Sequence, residues 1–226
     1  MATLVLDASG PRASVACLRD GRCFADGAAG MRQRDREALL PLVLDVLARA
    51  EVALPTLHRV VVGDGPGAFT SLRIAAATAK GLVHGTGIAL AVVPSLVLLA
   101  ASATDAGDRR LAVSDALRGE RFVQPVALGP AGWAPLTDVT IVPSAAVPDW
   151  AARWQATVVG PAEAPATEPA AAALLRVDPA VVRPVSLADW EPRYGRLAEA
   201  QVKWEAAAGH PLPTSVGTLH VGTTAP

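Results

Sequence analysis

The segment G-P-G-A-F-T-S-L-R, residues 65–73, decides the fold of this 226-residue chain. It follows the apolar run V-V-V at 60–62 and precedes a stretch rich in small residues that is typical of a helix. Glycine adopts positive φ without strain, proline fixes its own φ, and a hydroxyl group can cap a helix. We therefore predict a strand, a stiff turn and a helix capped by Thr70 or Ser71. The predicted turn residues are Gly65, Pro66, Gly67 and Thr70.

Glycine-bearing turns between a strand and a helix often bind phosphate, so a nucleotide site is the first function to test. Residues 63–68 fit the loose dinucleotide pattern G-x-G-x-x-G/A. That pattern also needs an acidic residue about 20 positions further on, and none occurs between Asp64 and Asp105. Pro66 offers no N–H to a phosphate, and the Walker pattern is absent because glycine follows Lys80. The sequence therefore favours a structural turn over a phosphate cradle.

Composition argues against a strongly positive surface that attracts nucleic acid and against a membrane-spanning segment. The formal net charge is −1 and the hydrophobic content is 51%, which allows a sizeable core without a basic surface. No apolar run approaches the roughly 18 residues that cross a bilayer. Cys17 and Cys23 flank the turn Asp20-Gly21 and are candidates to face each other across a hairpin. Because no signal-peptide pattern is present, we expect two reduced thiols in a cytoplasmic protein.

The order of the predicted elements indicates an α/β fold. In the first half, strands are predicted at 3–6, 13–18, 22–25, 60–62 and 89–93, and helices at 35–50, after 71, and at 95–103. Three antiparallel strands followed by alternating helices and strands are the order of a ribonuclease-H-like unit with a mixed sheet. A strand at 110–113 followed by Asp115 echoes the start of the chain. We therefore predict an actin-like ATPase architecture of two related units, the second one truncated. The predicted domains are 1–104, a smaller α/β unit at 105–208 and a flexible tail at 209–226.

Five short motifs are spread along the chain. They are Asp7 at the end of the first strand, R-E-A-L-L-P at 36–41, G-P-G-A-F-T-S-L-R at 65–73, D-A-L-R-G-E-R-F at 115–122 and P-R-Y-G-R at 192–196. Together they resemble the YeaZ family, also called TsaB, of bacterial tRNA threonylcarbamoyladenosine biosynthesis proteins. Leu117 and Arg118 depart from the D-A-R-x-G-E pattern of that family.

The resemblance implies a non-catalytic subunit. The catalytic paralogue of the family, TsaD, carries an H-x-x-x-H metal motif on its first helix, whereas residues 32–37 here contain no histidine. The histidines are His58, His84, His210 and His220, and no two of them are four residues apart. The expected role is to support a TsaD-type threonylcarbamoyltransferase that modifies adenosine 37 of tRNA. No cofactor is expected for this chain alone. ATP, a metal ion, a TsaE-type small ATPase and tRNA are expected in the assembled complex.

Two apolar helices are the expected contact with that paralogue. Leu40 and Leu44 widen the apolar face of the helix at 35–50 beyond the width that a core contact requires. The resemblance implies that this helix and the one after Ser71 pair with the paralogue, or with a second copy of the chain when the paralogue is absent. The expected interface residues are Leu39, Leu40, Val43, Leu44, Leu47, Leu72, Arg73, Ala76, Ala79 and Lys80. The alternative is that both helices only cover their own sheet.

Other polar residues leave further functions open. The candidates for binding a nucleotide are Asp7, Ser9 and Gly10. Active actin-like ATPases place a magnesium-binding carboxylate at this strand end, but Pro11 limits the backbone donors available here. Asp115 and Glu120 are either an acid–base pair or ordinary surface carboxylates. The alternatives to an accessory subunit are an autonomous ATP-binding transferase or peptidase-like enzyme, and a structural homodimer.

Overall fold

Two mixed β-sheets organise the protein in a computed structural model, which describes residues 1–31, 38–163 and 166–195. The first sheet contains β1 (Ala2–Asp7), β2 (Arg12–Arg19), β3 (Arg22–Gly30), β4 (Leu57–Gly63), β5 (Ala89–Val93) and β11 (Arg183–Pro184). The second contains β6 (Arg109–Asp115), β7 (Glu120–Gly129), β8 (Gly132–Pro135), β9 (Thr140–Pro143) and β10 (Thr157–Val159). The α-helices are α1 (Leu39–Arg49), α2 (Phe69–Val83), α3 (Ser95–Ser102) and α4 (Val147–Trp154). Short 3-10 helices cover Leu54–Thr56, Ser144–Ala146, Ala171–Arg176 and Pro179–Val181.

The first sheet has the strand order β11-β5-β4-β1-β2-β3. Strands β1, β2 and β3 are antiparallel neighbours, whereas β4 and β5 run parallel to β1. The hairpin between β2 and β3 turns at Asp20, φ 51°, and Gly21, φ 74°, as the Asp-Gly pair predicts. Because the three parallel strands share one direction, their carboxyl ends bring Asp7, Gly63 and Val93 to one edge of the sheet.

The second sheet repeats the plan of the first in a shorter form. Strands β6 and β7 form an antiparallel hairpin as β1 and β2 do, and β10 runs parallel to β6 as β4 does to β1. The predicted α/β fold with two related mixed sheets is confirmed. Strand β9, helix α4 and strand β11 were not predicted. Strand β11 returns the chain to the first sheet, where it pairs antiparallel with β5.

Helix α3 lies between the two sheets and is apolar on all sides. Residues 95–101 are all buried in it. Its core cluster includes Val5 and Val61 of the first sheet together with Ala112 and Val126 of the second. Helices α1 and α2 cover the opposite face of the first sheet, and α4 packs beside β6 and β7. One apolar helix therefore serves two sheets at once, as helices that are hydrophobic all round do in protein cores.

A buried arginine joins the end of α3 to the second sheet. Arg110, 7% exposed, donates hydrogen bonds to the carbonyl oxygens of Ala100, Ala103 and Gly107. Its guanidinium carbon lies 3.9 Å from the centre of the Trp133 ring. Carbonyl groups at a helix C-terminus lack intrahelical donors and attract cations, so Arg110 stabilises this end of α3.

Two predictions about helices need correction. Helix α2 begins at Phe69 after the extended residue Ala68, with no side-chain cap, so Thr70 lies in the first helical turn and neither it nor Ser71 caps the helix. The backbone sets this start, because the Ala68 N–H donates to the Ser9 carbonyl at 3.1 Å and the Ala68 carbonyl accepts the first helical bond from Leu72. The alanine-rich stretch 169–177, whose composition favours an α-helix, instead contains the 3-10 helix Ala171–Arg176.

The cysteines do not face each other across the hairpin. A bulge in β3 places Cys23 opposite Leu18 and Ala25 opposite Cys17, so the two thiols point to different faces of the sheet. Both are free. None of the described helices is long and apolar enough to span a bilayer. The predicted tail at 209–226 and the first residues of the helix predicted at 35–50 lie outside the described residues.

Candidate functional site

The turn after β4 is packed against the loop that follows β1. Gly65 has φ 88°, and the bond between Gly65 and Pro66 is cis. A Cβ atom on Gly67 would lie 2.7 Å from the Cα atom of Ser9, far inside van der Waals contact. Glycine is therefore required here because two backbones touch. Gly67 therefore allows the close packing of this turn on the loop after β1.

Asp7 is enclosed by this turn. Its side chain is 1% exposed, and its Oδ1 atom accepts hydrogen bonds from the Ser9 N–H at 2.9 Å and the Ser9 hydroxyl at 2.7 Å. Among the described residues the Oδ2 atom has no hydrogen-bond partner, and it lies against Gly63, where a Cβ atom would collide with it. Burial raises the pKa of the Asp7 carboxyl, and the nearby Ser95 hydroxyl and the hydrogen bonds from Ser9 oppose this shift. The structure thus brings the candidates Asp7 and Ser9 together, but inside the packed interior.

Gly10, the third nucleotide candidate, lies at the rim of the same loop. A Cβ atom added to it would be 3.6 Å from Pro169, so the loop after β1 is backed by the segment that leads into the 3-10 helix Ala171–Arg176. The Ser14 hydroxyl accepts a hydrogen bond from the Ala171 N–H at 2.9 Å. The segment is therefore fixed by packing against this loop and by a hydrogen bond to β2.

Asp64 is the polar centre of the region, and sequence reasoning did not select it. Its carboxylate, 2% exposed, accepts a hydrogen bond from Trp190 Nε1 at 2.9 Å. Arg183 Nη2 and Arg193 Nε contact its Oδ2 atom at 3.1 and 3.2 Å. Burial raises the pKa of Asp64, while the Trp190 hydrogen bond and the two arginines act in the opposite direction. The only signal in the sequence is an aspartate between two glycines directly after a buried strand.

The segment 190–195, which we call the strap, crosses the turn and joins two of the sequence motifs. The Arg193 N–H donates to the Asp64 carbonyl at 2.8 Å. The Tyr194 ring lies 4.5 Å from the Phe69 ring, centre to centre, and burial raises the pKa of Tyr194. Gly195, with φ 74°, is in contact with Phe122. Motifs that are more than 100 residues apart in sequence thus form one surface beside α2.

Helices α1 and α2 expose only part of the set expected at a partner interface. Six of the ten residues are buried in the core of this chain and are not surface residues: Leu39, Val43, Leu47, Leu72, Ala76 and Ala79. The reason is that helical periodicity identifies an apolar face but not which face a partner covers. The remaining four reach the surface. Leu40 is 42% and Leu44 55% exposed, Arg73 lies 5.2 Å from the Phe69 ring centre, and Lys80 lies 5.8 Å from that of Trp190. We call Leu40, Leu44, Arg73 and Lys80 the docking face.

The turn between β6 and β7 holds the expected carboxylates. Asp115 Oδ1 accepts hydrogen bonds from the Leu117 N–H at 3.0 Å and from Arg121 Nη1 at 2.8 Å. Its side chain is 62% exposed. Glu120 contributes its backbone, since its carbonyl accepts from the Ala116 N–H and its N–H donates to the Leu117 carbonyl. Asp115 therefore has a turn-stabilising role in this structure.

No group of three possible metal ligands occurs within the described ranges. His58 and His84 are exposed, and the other two histidines lie beyond residue 195. Two tryptophans are core residues, Trp133 at 4% and Trp190 at 7% exposure.

Comparison with known proteins gives consistent matches. Residues 31–124 match the family model of TsaD, tRNA N6-adenosine threonylcarbamoyltransferase. The tRNA threonylcarbamoyladenosine biosynthesis protein TsaB of Escherichia coli (strain K12) is 32% identical over 124 residues, which are 54% of this chain and 53% of that protein. The chain spans about half the length of the curated relatives it matches, or less.

Two solved structures extend the comparison to the fold. One, described as an uncharacterized protein with similarity to peptidase YeaZ from Pseudomonas aeruginosa, has a TM-score of 0.71 at 26% identity and covers 86% of this chain and 99% of its own. YeaZ from Pseudomonas aeruginosa is 31% identical, with a TM-score of 0.58 and coverage of 63% of this chain and 67% of that one. On these matches, the chain belongs to the YeaZ family, also called TsaB.

Proposed function

We propose that this protein is a non-catalytic subunit of the machinery that makes N6-threonylcarbamoyladenosine in tRNA. The observation that supports the proposal is membership of the YeaZ family, because the Escherichia coli relative is named for this biosynthesis. Its proposed role is to bind a TsaD-type catalytic paralogue and hold it in an active conformation. In this proposal ATP, the metal ion, the TsaE-type ATPase and tRNA engage the assembled complex rather than this chain alone.

The docking face supplies the physical basis for binding the paralogue. Leu44 exposes 55% of its side chain on α1, and the buried residues of α1 and α2 share one core cluster. When a partner covers exposed leucines, burial of their apolar surface stabilises the complex by about 25 cal/mol per Å². Arg73 and Lys80 add two cations on α2, which favour a partner helix that carries carboxylates at its contact face.

The proposal is tested by co-purification with the TsaD-type protein of the same genome and by synthesis of the modified nucleoside in the reconstituted system. The informative variant is Leu44→Glu, because the side chain is exposed and the fold should tolerate the charge. Leu128→Glu is the matched control, since Leu128 is 46% exposed at the far end of β7. Leu39→Glu is unsuitable because Leu39 is fully buried, so the variant would unfold.

We expect the wild type and Leu128→Glu to form the complex and support modification, and Leu44→Glu to lose both while its unfolding curve stays that of the wild type. A paralogue that reaches its full rate without this chain would refute the proposal. If the wild type forms only a dimer of itself that Leu44→Glu dissociates, the docking face joins two copies of this chain and the structural homodimer is the correct function.

A further inference from the structure

The turn at residues 117–119 combines backbone strain with exposed side chains. Leu117, Arg118 and Gly119 have φ values of 64°, 55° and 77°. Only glycine adopts this left-handed region without cost, and for a bulky residue such as leucine it is a clear outlier. Leu117 is nevertheless 67% exposed, and Arg118 is exposed as well. Packing among residues 1–31, 38–163 and 166–195 therefore gives no reason for either side chain at these positions.

Hydrogen bonds on both sides make the turn rigid. Asp115 Oδ1 accepts from the Leu117 N–H, and the Leu117 carbonyl accepts from the Glu120 N–H at 3.0 Å. The Gly119 carbonyl accepts from both the N–H and the hydroxyl of Ser144, at 2.8 and 2.7 Å. A conformation held this firmly fixes where the two side chains point, and strained residues that are fixed by their surroundings concentrate at functional sites.

The turn is continuous with the strap and α2. The last strand pair before the turn is Asp115 with Arg121, and the next pair is Ser114 with Phe122. The Phe122 ring contacts Gly195. Tyr194 then packs on Phe69 at the start of α2. The turn and the docking face are thereby linked through a series of direct contacts.

We propose that Leu117 and Arg118 form a second contact with the catalytic paralogue, Leu117 entering an apolar pocket and Arg118 pairing with a carboxylate at its rim. This inference rests on the proposed function. A side chain kept in a strained, preorganised position loses little conformational entropy on binding, so the strain is compensated in the complex. Arginine is also enriched among the residues that carry most of the free energy of binding at protein interfaces.

The test measures stability and affinity in the same variants, because the proposal predicts that they change in opposite directions. Asparagine tolerates the left-handed region, so Leu117→Asn and Arg118→Asn relieve strain while removing the contacting groups. We expect each variant to raise the midpoint of thermal unfolding by about 2 to 4 °C. We also expect each to weaken binding of the purified paralogue about tenfold or more, measured by titration calorimetry. Leu128→Asn is the control: Leu128 lies near the far end of β7, about 25 Å along the strand from its first residue, Glu120, and the substitution should leave affinity unchanged.

The outcomes separate this inference from the proposed function. If Leu44→Glu abolishes binding while both asparagine variants bind within twofold of the wild type, the proposed function stands and the second contact is refuted. If the variants lose stability together with affinity, the turn has only a structural role and the inference is refuted. If the wild type does not bind the paralogue, both are refuted.

Discussion

Replacing Asp64 by alanine should detach the strap from the turn. The carboxylate, 2% exposed, is the acceptor for the Trp190 indole N–H, and Trp190 is itself 7% exposed. A buried donor left without an acceptor costs about 1 to 3 kcal/mol. The guanidinium groups of Arg183 and Arg193 are 48% and 43% exposed, so water replaces Asp64 there and each contact contributes only about 0.5 kcal/mol.

These contributions amount to a loss of about 3 kcal/mol in the free energy of unfolding for Asp64→Ala. Urea unfolding followed by circular dichroism measures it. Asp45→Ala is the matched control, because Asp45 is 58% exposed and its ion pair within the described residues is with Arg49. The substitution should change stability by less than about 0.5 kcal/mol. A double-mutant cycle with Trp190→Phe should give a coupling energy of about 1 kcal/mol.

Hydrogen exchange separates local detachment from general destabilisation. The Arg193 N–H donates to the Asp64 carbonyl and the Val185 N–H to the Leu90 carbonyl, so both amides should lose protection in Asp64→Ala. Amides of β1 and β4 should be affected only as far as global stability falls. A loss below about 1 kcal/mol together with unchanged exchange at Arg193 would refute the reasoning that Asp64 holds the strap.

Three further substitutions test the interior. Burial raises the folded-state pKa of Asp7 above its unfolded value, so this carboxyl favours folding at low pH, and that contribution is lost as the pH rises through the folded pKa. Asp7→Asn should therefore be more stable than the wild type at pH 7, by on the order of 1 kcal/mol. In urea titrations this difference should shrink towards pH 3. Gly67→Ala should lower the free energy of unfolding by about 1 to 3 kcal/mol, because the new Cβ atom collides with Ser9. Gly81→Ala is the control: it has open space in α2 and should raise the free energy of unfolding by about 0.5 to 1 kcal/mol. Equal effects of the two substitutions in calorimetry would contradict this account. Arg110→Met removes the donor to three carbonyl groups and should lower stability by about 2 to 3 kcal/mol, and an unchanged thermal midpoint would show that water replaces the guanidinium.

Local signals made much of the fold predictable. The Asp20-Gly21 pair determines its hairpin by backbone preference alone, and β5 has the predicted bounds, Ala89–Val93. Glycine and proline on either side of an apolar run predict where the strand begins and ends. Strand β9 was missed because T-I-V-P gives only four residues and ends in proline, too short for a periodic pattern to be distinguished from a loop.

The site depended on contacts that sequence patterns do not encode. Asp64 meets Trp190 across 126 residues, and no local rule pairs them. The ten expected interface residues were chosen by periodicity, which identified the apolar helices but could not separate Leu39 in the core from Leu44 at the surface. That separation depends on how the sheet and helices pack together, which is a property of the tertiary structure.

The position of α3 limits how the two halves of the molecule can move. Hinge motion between the two sheets would need an interface that can open, and such interfaces are usually small and polar. Here both sheets pack on α3, whose residues 95–101 are all buried. Rotation of one sheet against the other would therefore open an apolar cavity in a close-packed interior. The molecule is thus expected to behave as one rigid body that melts in a single cooperative transition. For a protein proposed to keep an enzyme in one conformation, this stiffness is useful, because a flexible protein could not restrain the conformation of its partner.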